Sequence, residues 1–193
     1  MTPSPEQLHP AQNRGFRELY ATTRHLANHH RALAGRLGVP AFDESATAAR
    51  RLLDELRTQT ARFDLHGQPA AQGVGVSGAR GRSDVVDRFL ERNQASRVAV
   101  LDVQHVVTLL GYLATASETN GNSDLASFCR RWHAELREVE SRVRDAAIDS
   151  GGDLDAAVEP FDSSAIGRAA HGVGYWVGTF GEWFDRRAAR HRS

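Results

Sequence analysis

The segment LASFCRRWHAELREVESRVRDA, residues 125–146, decides the fold. Leu125, Phe128, Cys129, Trp132, Leu136, Val139, Val143 and Ala146 recur at three- and four-residue steps, and charged residues fill the gaps. That spacing gathers the apolar side chains on one stripe of an α-helix and leaves the charges on the other face. Such a stripe needs further helices to cover it. Asn122 or Ser123 is the expected N-cap, and Ser150-Gly151-Gly152 the stop.

Upstream, Val98 to Ala116 is apolar almost all round. It reads as the second half of the longest helix, opened by Ser83 and Asp84, running to about Glu118 and buried at the centre of a bundle. Nearer the N-terminus, Pro10 suits a first helical turn. Phe16, Leu19, Tyr20, Leu26, Ala27, Leu33 and Leu37 form the stripe that follows, and Gly38 and Pro40 end it. Asp43 is the expected N-cap of a second helix carrying Ala49, Leu52, Leu53, Leu56 and Phe63. Their short link predicts an antiparallel hairpin. Residues 67–82, rich in glycine and aperiodic, read as a long mobile loop, and residues 1–9 as a flexible N-terminus. Asp153 to Ser164 is a loop with room for one helical turn, and residues 165–191 a last helix. No run alternates as a strand does. The expectation is one all-α domain over residues 1–193, an up-down four-helix bundle of long helices plus a C-terminal glycine-striped fifth helix.

Composition removes whole classes of function. Acidic and basic residues number 24 each, so the chain lacks the positive surplus that nucleic acid requires, and no nucleic-acid partner is expected. Every basic residue other than histidine is arginine, which excludes Schiff-base, general-base and P-loop lysines. The single cysteine, Cys129, forbids an intrachain disulfide and cysteine-rich metal sites. Met1-Thr2-Pro3-Ser4-Pro5 does not open a secretory signal. These features predict a cytoplasmic protein with no metal and no cofactor. A membrane span is not expected, because no stretch of about 20 residues is apolar and free of charge.

Four places invite a functional reading. Asp102, Gln104 and His105 interrupt the apolar helix, and His30 and Thr23 fall within the stripe of the first helix. Asp102 and His105 are neighbours on a helical surface, so a cluster of His30, Asp102 and His105 is a candidate ligand site or a buried structural network. Gly73-Val74-Gly75-Val76-Ser77-Gly78 matches a dinucleotide fingerprint in letters, but it follows a helix where a strand is required. What remains there is an anion contact at Arg80 and Arg82, before a helix N-terminus. In the tail, Gly167, Ala170, Gly174, Gly178 and Gly181 make a small-residue stripe, with Tyr175, Trp176, Phe180, Trp183 and Phe184 on the other faces. Gly174, Tyr175, Trp176, Gly178, Phe180, Trp183 and Phe184 are the candidate interface. The charges in the tail argue against a span and leave interfacial membrane binding open. Finally, His25 and His29 stand four apart, which suits a metal clip, but without His-Glu-x-x-His they read as exposed helical histidines.

The ferritin-like carboxylate bundles require a carboxylate on each of two helices and Glu-x-x-His on each of the other two. This chain has a single Asp-x-x-His, and His133 with Glu135 does not supply a second copy. No membership follows. With no catalytic motif, the reading leans away from an enzyme. It favours a bundle that associates with itself or a protein partner through its tail. The alternative is a ligand- or metal-binding bundle built on Asp102 and His105.

Overall fold

A computed structural model describes residues 8–63 and 90–161. The long helices are α1 (Pro10–Leu37), α2 (Pro40–Arg62), α3 (Arg92–Thr119) and α4 (Ser123–Asp149). A 3-10 turn at Ser150–Gly152 and the four-residue α5 (Leu154–Ala157) follow. The fold is all-α and bundle-like. Among the described residues the only β pairing is an isolated bridge between Glu91 and Pro160.

Local chemistry places the helix ends. Gly38 takes the left-handed conformation (φ 68°) and its N–H caps α1 on the Ala34 carbonyl. Only two residues separate α1 from α2, and Pro40 opens α2 rather than closing α1. Proline fits there because its missing N–H has no intrahelical partner in a first turn. Asp43 therefore lies inside the first turn, where its charge faces the helix dipole and pairs with Arg31. The expected helix start at Ser83 and Asp84 lies outside the described residues, but a helix continuous from there to Glu118 is corrected. Glu91 is extended and caps α3, with Gln94 returning a hydrogen bond to its N–H, so the described helix begins at Arg92.

The directions of the helices differ from a simple alternation. Gln12 bonds Ser117 and His30 bonds Ala99, so α1 and α3 are antiparallel. Glu44 meets Arg142, Arg51 meets Glu135 and Glu55 meets Arg131, so α2 and α4 are antiparallel too. With hairpins α1–α2 and α3–α4, the order around the bundle is α1, α2, α4, α3, and taken in chain order from α1 to α4 the directions run up, down, down, up. The expected up-down alternation is corrected: α2 and α3 point the same way, on opposite corners.

Phe16, Leu26, Phe42, Leu52, Val103, Leu110, Leu125 and Trp132 belong to one continuous core. The expectation that α3 is buried on every side is not met. Leu101, Gln104, His105, Thr108, Tyr112 and Thr115 form an exposed stripe. α3 packs on α1 and α4 and leaves its outer face open, and scattered apolar residues on a surface are ordinary. By length and composition alone α3 is apolar enough to cross a membrane, as core helices of bundles also are.

Candidate metal centre

The C-terminal half of α1 faces the N-terminal half of α3, and the polar residues within the two apolar helices meet there. His25 and His29 lie one turn apart on α1, their rings stacked with centroids 5.4 Å apart. Asp102 of α3 faces both. Its Oδ2 accepts a hydrogen bond from His29 Nδ1 at 2.6 Å and lies 3.8 Å from His25 Nε2. Side-chain exposure is 21% for His25, 11% for His29 and 15% for Asp102. The exposed histidines expected from the spacing are thus corrected: packing against α3 covers them.

Electrostatics fix the protons. Burial pushes the Asp102 carboxyl up, but the His29 hydrogen bond and the neighbouring imidazoles outweigh it and hold the group below its ordinary range. An ionised carboxylate can only accept, so His29 Nδ1 carries the proton between them. His30, with no side-chain exposure, lies one residue further in and packs edge-on against Phe42. Its Nε2–H donates to the Ala99 carbonyl at 3.2 Å, and its Nδ1 has no hydrogen-bond partner among the described residues. Burial, then the nearby His29, lowers its pKa to about 4, so the ring is neutral near pH 7.

His30 is buried on α1 and Asp102 nearly so on α3, but His105 is not their partner. It is half exposed and bonds Glu18 of α1 at 3.1 Å. Three residues along α3 turn it from the α1–α3 seam onto the outer face. One donor atom from each of His25, His29 and Asp102 lies within 4.8 Å of the others, near enough to converge on one ion, and among the described residues no fourth His, Cys, Asp or Glu joins them. The four-residue step between His25 and His29 was a legible signal. Their third member was not, because it depends on which helix packs against α1.

Two other polar arrangements have structural roles. Gln12 ties the start of α1 to the end of α3 through Ser117 and Asn120. The buried Trp132 indole donates to Glu55, whose carboxyl is held low by its hydrogen bond to Arg131. Cys129 is a core residue, its thiol pushed up to about 12 by burial, and therefore not a nucleophile. Arg80, Arg82 and the tail residues Gly174, Tyr175, Trp176, Gly178, Phe180, Trp183 and Phe184 lie outside the described residues. No family model, no curated protein and no solved structure matches this chain.

Proposed function

We propose that this protein is a cation-binding helical bundle, with the ion held between α1 and α3 by His25, His29 and Asp102. The observation that supports the reading is the convergence of a carboxylate and two imidazoles from helices distant in sequence, within 4.8 Å of one another. This is the ligand-binding alternative of the sequence reading, recentred from His105 onto the two histidines of α1, and it departs from the expectation of no metal. Neither a lysine nor a reactive thiol is available as a nucleophile, and the reading is confined to binding. The buried, unpaired thiol also suits a reducing, cytoplasmic setting.

Equilibrium dialysis of the chelator-treated protein against Zn(II) tests it. Stoichiometric uptake by the wild type, with loss in Asp102→Asn, is expected. A bound ion should also raise the melting temperature, since it stabilises only the folded state. A wild type that takes up no ion sinks the reading.

A second reading is association with another copy of the chain through a C-terminal helix at residues 165–191. The exposed Ile148, Leu154 and Val158, where the chain leads toward that segment, favour it. Removing residues 165–193 should then lower the mass seen by light scattering while the helical signal of the first four helices persists. Unchanged mass would count against it.

A further inference from the structure

We infer that the bound ion is a borderline transition cation of the zinc class, and that the described residues give it three donors and leave one coordination position for a further ligand. The inference rests on the cation-binding reading above and specifies its chemistry.

Donor type sets the class of ion. Calcium and magnesium take shells of oxygen, whereas imidazole suits zinc, copper, iron and nickel. Here two of the three donors are imidazole nitrogens. Donor number sets the vacancy. Structural zinc sites are closed by four protein ligands, and sites with three keep a position for water or another ligand. The nearest histidines in sequence do not complete this one. His30 has its Nε2–H on the Ala99 carbonyl within the core, and His105 is engaged with Glu18 on the outer face.

The geometry is close to what an ion needs. Bonds of about 2.0–2.2 Å in a tetrahedral shell place donors about 3.3–3.6 Å apart. The Asp102 Oδ2 distances of 2.6 Å to His29 Nδ1 and 3.8 Å to His25 Nε2 lie either side of that value. If His29 binds through Nδ1, the ion takes the place of the proton that this nitrogen donates to Asp102, and the proton leaves to solvent. All three side chains keep some exposure, so the fourth position is within reach of water.

Co(II) added to the metal-free full-length chain reads both parts of the inference. Visible d–d bands should saturate at stoichiometric Co(II), resist excess Mg(II) and Ca(II), and shift when imidazole or azide is added. The bands should be lost in His25→Ala, the most exposed of the three positions, and kept in His105→Ala, with circular dichroism confirming that both variants are helical. Bands that do not respond to imidazole or azide would overturn the open position while leaving cation binding in place. Displacement of Co(II) by Mg(II) or Ca(II) would overturn the class of ion, again without touching cation binding. Absence of any bound Co(II) or Zn(II) in the wild type would remove the inference and the reading beneath it together.

Discussion

His30 is a buried base held neutral, and that state links folding to pH. In the unfolded chain it protonates near its ordinary pKa of 6.5, and in the folded chain only near about 4. The unfolded state therefore binds more protons between those values, and stability falls as pH falls through that window. Above about 6.5 the contribution is intact, and below about 4 the loss is complete. At 1.36 kcal/mol per unit the ceiling is about 3 kcal/mol. Urea titrations of metal-free protein from pH 7 to pH 4 should show this decline, and His30→Leu should flatten it. An equal slope in both proteins would mean that other groups carry it. Placing His30 and Asp102 in or near the core needed only the apolar stripes around them. The partner of Asp102 was out of reach, because His29 and His105 are equally plausible neighbours until the packing of α1 on α3 is known.

Between elements, a glycine of α1 packs close against α3. A β-carbon on Gly15 would stand 2.7 Å from Leu113 Cδ2, closer than atoms pack. Gly15→Leu should force the helices apart and destabilise the protein by about 1–3 kcal/mol, the usual effect of overpacking. Gly35, further along α1, has nothing within 4 Å of such a carbon. There Gly35→Ala should stabilise by about 0.5–1 kcal/mol through backbone entropy alone. Thermal melts of the two variants should move in opposite directions, and parallel shifts would show that Gly15 is not a packing residue. The sequence reading looked for close approach in the tail, where glycines form a stripe. A lone Gly15 within the amphipathic α1 gave no such pattern. Helix existence was legible from the stripes of α1, α2 and α4, and Gly38 marked an end correctly. The ends set by Pro40 and Glu91 were misread, because proline and acidic residues serve near both helix starts and breaks.

At the scale of the whole molecule, the order of directions is testable with spin labels on exposed cysteines. Arg57 near the end of α2 and Thr115 near the end of α3 lie at the same end of the bundle. Arg97 on α3 is 18 residues before Thr115 (115 − 97), about 27 Å along the axis. The Arg57–Arg97 distance should therefore exceed the Arg57–Thr115 distance. The reverse order would restore strict alternation. Sequence alone could not choose between these, because the stripes state which face of a helix is buried and not which neighbour buries it. The glycine-rich length between α2 and α3 permits a long return path as readily as a short turn.

That connectivity divides the chain into two contiguous hairpins, α1–α2 and α3–α4, joined by a single covalent link. His25 and His29 belong to the first and Asp102 to the second. An ion at this place would act as a staple between halves, in parallel with the peptide chain. If the chain is cut between α2 and α3, the two fragments retain complementary apolar faces, and Zn(II) should tighten their reassembly by the same linkage that raises the melting point of the intact protein. The bundle would then behave as a two-part device whose clasp is inorganic, closing in proportion to the free metal around it.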